Sequence, residues 1–312
     1  TSYEELARES GRSPEAIRRL VREFGLVQAD FQMRLRDDDA EMLRELLDVW
    51  GAGDDDELAR LARAYGQNIR RLVASDLGIA NSSVFARLRE GGLQDADLRA
   101  AAGKLGVSVM ALGERMTLWL RSRHLEHEVI SATVQGTEEY LQELGEVAER
   151  ERRPPAIAFL DLTGYTALTE ERGDEAGAEL ADRLAALVNA AALPHGGRPV
   201  KWLGDGVMFH FPDATAAVLT GLALVEQTPS AVEGRARVGV NAGRVIFRDG
   251  DYFGKTVNVA SRIADYARPS EVLVSEEVKQ QWQGDGVAFQ PIGPVALKGL
   301  KDEITLYSAT RA

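Results

Sequence analysis

The chain has 312 residues, 45% hydrophobic and 28% charged, which allows about two domains of an ordinary globular protein. A formal net charge of −12 argues against a nucleic-acid partner, and the absence of cysteine excludes disulfides, thiolate zinc sites and a cysteine nucleophile and fits a reducing, cytoplasmic setting. No apolar run approaches the roughly 20 residues of a membrane span (Met110 to Leu120 is broken by Glu114 and Arg115), and no signal-peptide pattern follows Thr1.

Residues 1–150 have helical periodicity and almost no proline. "SYEELARESGRSPEAIRRLVREFGL" reads as two short helices, separated by Gly11 and restarted by Ser13-Pro14. "DAEMLRELLDVWGAG", "DELARLARAYGQNIRRLVASDLG" and "DADLRAAAGKLGVSVMALGERM" follow, each with apolar residues at i, i+3 and i+4. A linker segment at about 117–153 is expected to be interrupted by Gly136 and Gly145. "ERERRPPA", with Pro154-Pro155, then ends the helical half and gives a boundary between domains at 1–150 and 154–312.

The second half alternates β-type runs with amphipathic stretches. "AIAFLDLTGYT" reads as a strand ending near Asp161, "DEAGAELADRLAALVNAAAL" as a helix and "RPVKWLGDGVMFHF" as a hairpin. "DATAAVLTGLALVEQ" is a second helix, "ARVGVNAGRVIF" two short strands and "KTVNVASRIADYA" a helix. "EVLVS" is a strand and "VALKGLKDEITLYSA" a terminal hairpin. The order β-α-β-β-α-β is the split-βαβ, ferredoxin-like arrangement with additions, so the chain as a whole reads as α+β with an all-α first domain.

Two acids stand out. Asp161, at the end of an apolar strand, reads alone as an N-cap for the next helix, and Asp205, followed by Gly206, reads alone as a hairpin turn. Together they read differently, because a split-βαβ unit lays the first strand beside the hairpin. Two neighbouring carboxylates repel unless a proton or a metal intervenes. Oxygen-only ligands suit Mg²⁺ bound with substrate phosphates, and a pair of such ions would clamp a phosphoryl displacement.

With these motifs in hand, residues 154–310 resemble the catalytic domain of class III adenylate cyclases. "FLDLTGYTALT" and "KWLGDGVMF" are similar to that family's two metal motifs, and "DYFGKTVNVASRI" to its substrate and transition-state motif. The resemblance implies a homodimer with active sites at its interface. It implies that Asp161 and Asp205, helped by the backbone carbonyl of Leu162, hold two Mg²⁺ or Mn²⁺ ions per site. It implies that Lys201 and Asp251 read the adenine of ATP, an ammonium donating to a ring nitrogen and a carboxylate accepting from the exocyclic amine. A guanine carbonyl would face Asp251 as a second acceptor, which disfavours GTP. Asn258 and Arg262 match the transition-state residues; at i, i+4 on one helix they share a face. Lys298, with Lys301 as competitor, matches the lysine that holds the terminal phosphates. The implied reaction is conversion of ATP to 3′,5′-cyclic AMP and pyrophosphate. Rival readings are a cyclase making cyclic GMP and a cyclase-like module that senses nucleotide without turnover.

The first half offers two readings. Arg18, Arg19 and Arg22 would form the basic face of a helix-turn-helix, and so of a DNA-binding regulator, although "RDDDAEM" and "GDDDEL" surround it with acid. "ELARLARAYGQNIRRLV" resembles instead the helical regulatory domain ahead of the cyclase in some actinobacterial class III enzymes, which implies restraint relieved by acid pH. His124 and His127, at i, i+3 beside Glu126 and Glu128, are candidates for such a switch, or are simply two solvated histidines on a polar helix face.

Overall fold

The computed structural model describes residues 1–26, 35–51, 53–79, 95–144, 153–232 and 234–312. The chain divides into two compact units, Thr1–Glu149 and Arg150–Ala312.

In the first unit, helix α1 (Tyr3–Ser10) is opened by a capping box between Ser2 and Glu5 and closed by Gly11 at φ 67°. Ser13 caps α2 (Pro14–Phe24), with Pro14 in its first turn. Leu6, Ile17, Leu20 and Val21 of these helices are buried with Leu43 and Leu47 of α3 (Asp37–Trp50) and Leu58 of α4 (Asp55–Ile79). The three arginines of the helix-turn-helix reading are all engaged by carboxylates: Arg18 with Glu4 at 2.8 Å, Arg19 with Asp56 at 2.6 Å and Arg22 with Glu15 at 2.8 Å. Acid from α1, α4 and α2 itself thus neutralises the face that phosphates would need.

The expected interruption of the linker at Gly136 is absent. One helix, α5 (Asp95–Glu143), runs through Gly103, Gly106, Gly113 and Gly136. Each helical glycine costs only about 1 kcal/mol, and no proline interrupts this stretch. Gly145 and the end of the linker, residues 145–152, lie outside the described residues. His124 and His127 are both exposed on α5, and Glu126 between them is paired with Arg123 at 2.7 Å.

The second unit is built on a seven-stranded sheet in the order β2-β3-β1-β4-β7-β9-β8. Strands β1 (Ala156–Thr163), β2 (Arg198–Leu203), β3 (Gly206–Phe211) and β4 (Arg235–Ala242) form the antiparallel β2-β3-β1-β4 half. Two helices, α7 (Asp174–Ala192) and α8 (Ala214–Ala231), make its crossovers, and this half is the expected ferredoxin-like unit. Strand β7 (Val272–Ser275) adds parallel to β4, and β9 (Ile304–Arg311) and β8 (Val287–Val295) complete the sheet. The short α10 (Glu276–Gln281) follows β7.

Strand alternation separates the two faces. Ala158, Leu160, Leu162, Phe209, Phe211, Val238 and Val240 pack under α7 and α8. Ile157 and Met208 face the other way, against Ala260 of α9 (Lys255–Tyr266). Here α9 lies on the backbone of Gly239, where an added Cβ would fall 2.1 Å from the Ala264 nitrogen. Asn241 and Thr256 tether its first turn: Asn241 Nδ2 donates to the Thr256 carbonyl at 3.2 Å, and Thr256 Oγ1 to the Arg244 carbonyl at 2.7 Å.

Gly239→Ala must push α9 off the sheet. The expected cost is about 1–3 kcal/mol, read as a lower melting temperature; an unchanged melting temperature contradicts this account of the packing.

Candidate active site

Asp161 lies inside β1, which continues past it to Thr163, and it does not cap a helix. The next helix, α6 (Tyr165–Arg172), has Gly164 at its N-cap, and no side chain caps it. Period-two alternation puts Asp161 on the face of Ile157, away from α7 and α8. Its direct cross-strand neighbours are Gly206 on β3 and Arg237 on β4.

The turn between β2 and β3 is Gly204-Asp205; Gly206 already belongs to β3, so Asp-Gly is not the turn pair. Gly204, with φ 71°, supplies the positive φ at the first turn position that a two-residue hairpin of the II′ kind requires. The Asp205 carbonyl accepts from the Leu162 N–H at 3.3 Å, which docks the turn against the end of β1. Since N–H and C=O of one strand residue share an edge, Leu162 presents its carbonyl on the same side as this turn. Burial, followed by the charge of Asp161, raises the Asp205 carboxyl above the usual carboxylate range.

This donor set fits a hard cation. Two carboxylates and a backbone carbonyl offer oxygen only, and burial followed by the neighbouring Asp161 charge disfavours an uncompensated Asp205 carboxylate. Among the described residues no group of three or more His, Cys, Asp or Glu forms a closed metal cage, so substrate oxygens and water would complete the coordination.

Arg237 was not found by sequence reasoning. Its Nε and Nη2 both donate to Asp161 Oδ2, at 2.8 and 2.5 Å, and its Nη1 donates to the Asp265 carbonyl near the end of α9, at 2.8 Å. The signal was present in "ARVGVNAG": Ala236, Val238 and Val240 fill the inner face, so Arg237 points to the face that carries Asp161.

Lys201 and Asp251 do meet. Lys201 Nζ donates to Asp251 Oδ2 at 2.9 Å, across from β2 to β6 (Asp251–Phe253). The other carboxylate oxygen accepts from the Tyr252 N–H at 2.9 Å. Among the described residues strand β6 pairs only with β5 (Ile246–Arg248), as a small ribbon separate from the main sheet. Asn258 and Arg262 are both exposed on α9, whose buried positions are Thr256, Val259, Ala260, Ile263 and Ala264. Arg262 is paired with Asp265 at 2.6 Å, a partner the sequence reading did not name. Lys298 and Lys301 are exposed on the connection from β8 to β9, which is longer than the expected hairpin turn. That connection is seated by Leu297, buried with Val259 and Ile263 of α9.

The adenylate and guanylate cyclase catalytic domain matches residues 147–310, more than half of the chain. The chain belongs to this family. The pH-sensitive adenylate cyclase MT1302 of Mycobacterium tuberculosis (strain CDC 1551 / Oshkosh) is 28% identical over 99% of this chain and 78% of its own. An adenylate cyclase of Glutamicibacter nicotianae is 28% identical over 86% and 68%, respectively. One from Streptomyces coelicolor is 38% identical over 42% of this chain and 34% of its own. No described helix of this cyclase-family chain is long and apolar enough to cross a membrane.

The raised Asp205 gives a signed prediction. A carboxyl whose pKa is higher folded than unfolded stabilises the fold fully below the unfolded value, about 3.9, and that contribution is lost as pH rises through the folded value. At pH 7 without divalent metal, Asp205→Asn therefore melts above the wild-type protein, and the gap closes below about pH 3.5. Added Mn²⁺ raises the wild-type melting temperature more than the variant's. A variant that melts at or below wild type at pH 7 contradicts this account of a carboxylate disfavoured by burial and by Asp161.

Proposed function

We propose that this chain is an adenylate cyclase, acting as a homodimer, that converts ATP to 3′,5′-cyclic AMP and pyrophosphate. The observation that carries the choice of ATP is the Lys201–Asp251 pair. It sets one donor 2.9 Å from one acceptor at a single place on the surface. Adenine offers the complementary acceptor and donor, a ring nitrogen and an amine, whereas guanine offers a carbonyl where Asp251 needs a donor. Relatives named adenylate cyclase, one spanning 99% of this chain, support the same choice.

In this reading Asp161, Asp205 and the Leu162 carbonyl hold two Mg²⁺ or Mn²⁺ ions. Bound there, the ions would acidify the ribose 3′-hydroxyl and offset charge on the phosphates. Asn258 orients the ribose, and Arg262 leaves Asp265 to meet the charge that develops on the α-phosphate. Lys298 takes the terminal phosphates. The 3′-oxygen bonds to the α-phosphorus as its bond to the bridging oxygen breaks; the hydroxyl proton passes to water, and pyrophosphate leaves.

A homodimer is supported by apolar surface around the purine pair. Trp202, Leu203, Ile246, Phe247 and Phe253 are between 43% and 64% exposed, on β2, β5 and β6. Side chains of this size in one region are the kind of surface a second copy covers. In that dimer the metal acids of one chain face the partner's Lys201, Asp251, Asn258 and Arg262. Mixing Asp161→Ala with Arg262→Ala, each inactive or nearly so alone, then restores activity, about a quarter of wild type if chains pair at random. No recovery contradicts the shared site.

The helical unit is proposed to restrain the cyclase and to respond to pH; the Mycobacterium tuberculosis relative is itself named pH-sensitive. The exposed His124 and His127 are the proposed sensors. Wild-type activity is expected to rise as pH falls from about 8 to about 6. The paired His124→Ala and His127→Ala substitutions flatten that rise, and an unaltered pH profile contradicts the assignment.

A further inference from the structure

We propose that His210 is a positioning residue for purine selection, acting through Tyr252 on Asp251. The inference rests on the reading of Asp251 as the purine-selecting carboxylate.

Among the described residues the small β5–β6 ribbon that carries Asp251 forms no strand pair with the main sheet, so packing fixes its position: Tyr252 is partly buried against Ile157, Met208 and Ala260, and the His210 ring lies on it. His210 sits near the end of β3, on the Met208 side of the sheet. Its ring stacks on that of Tyr252, centroids 4.4 Å apart and planes within 10°. Tyr252 is in turn held from its other strand neighbour, Phe247, by a tilted contact at 4.9 Å. Its backbone N–H donates to Asp251 Oδ1, leaving Oδ2 for Lys201. The stack therefore connects β3, paired on both edges within the main sheet, to the residue whose amide orients the purine-reading carboxylate. Lys201 approaches from β2, the strand paired with β3, so both halves of the reader are referred to β3. Burial, and then the charge of Arg198 across the strand pair, lower the His210 pKa, so the imidazole is neutral at pH 7 and stacks as an uncharged ring.

An exposed Lys–Asp pair alone is too weak to hold a ribbon in place, since exposed pairs contribute little. A stacked aromatic pair contributes more, through area that either state of the carboxylate leaves untouched. Loss of the ring thus frees Asp251 to sample positions that do not match adenine, while Asp161, Asp205 and α9 keep their places.

The test compares wild type, His210→Ala and His210→Phe in steady-state kinetics with ATP and with GTP, using Mn²⁺. His210→Ala is expected to raise KM for ATP by roughly two- to tenfold with kcat little changed, and to narrow the preference for ATP over GTP. His210→Phe, which keeps a ring, is expected to restore both. Wild-type KM and preference in His210→Ala overturn the proposal, and so does a His210→Phe that behaves like His210→Ala. Tyr252→Leu set against Tyr252→Phe asks the same question from the other ring if the histidine variants fold poorly. Asp251→Ala is the control for the premise: if it leaves nucleotide preference unchanged, purine selection by Asp251 fails and this proposal fails with it. If Asp251→Ala changes preference and His210→Ala does not, only the role of His210 is lost.

Discussion

Backbone pairing between β1 and β3 brings Asp161 and Asp205 side by side, and the rest of the catalytic unit is arranged around the cost of doing so. The hydrogen bonds that align Asp161 with Gly206, and Leu162 with the Asp205 carbonyl, are ordinary strand and turn bonds. They leave two like charges close together and one of them partly desolvated, and Asp205 answers with a raised pKa. Arg237 relieves part of the repulsion from the strand on the other side, spending two of its donors on a single oxygen of Asp161. What remains is a concentrated negative charge with oxygen donors, an environment in which a divalent cation is favoured.

The second set of functional groups is held by a different kind of constraint, close packing. Helix α9 rests on the bare backbone of Gly239 and is tied at its first turn to Asn241 and Arg244. Its exposed face thereby carries Asn258 and Arg262 at a fixed height above the sheet. Arg237 touches both sets, since its third bond goes to the Asp265 carbonyl of this helix while Asp265's carboxylate holds Arg262. In the proposed dimer these two sets serve different active sites, so one chain's sheet sets the geometry of two half-sites at once.

Much of this was legible in the sequence because it depends on period and spacing. The apolar runs in "AIAFLDLT" and "GVMFHF" marked β1 and the hairpin, and the i, i+4 spacing of Asn258 and Arg262 put them on one face of α9. The motifs also named the Lys201–Asp251 pair before any distance was known. What was missed depends on register, which local pattern does not supply. Arg237 was passed over because its importance comes from lying directly across from Asp161, 76 residues away. The turn was misplaced by one residue because Gly204 and Gly206 both flank Asp205, and only strand pairing decides which of them takes the positive φ. The interruption expected at Gly136 does not occur because glycine is a weak helix breaker as well as a common one, and composition alone does not tell the cases apart. His210 carried no motif; its contact with Tyr252 depends on the placement of a ribbon outside the main sheet.

The central claim is that one chain's paired acids hold the metal while its partner reads the base. The most direct measurement is a crystal structure of the protein with Mn²⁺ and 3′-deoxy-ATP, which lacks the attacking hydroxyl, recorded at a wavelength where manganese scatters anomalously. The account predicts manganese peaks between Asp161 and Asp205 of one protomer, with the adenine against the partner's Lys201 and Asp251. Manganese bound away from both acids, or an adenine read by Lys201 and Asp251 of the same chain that holds the metal, would contradict it.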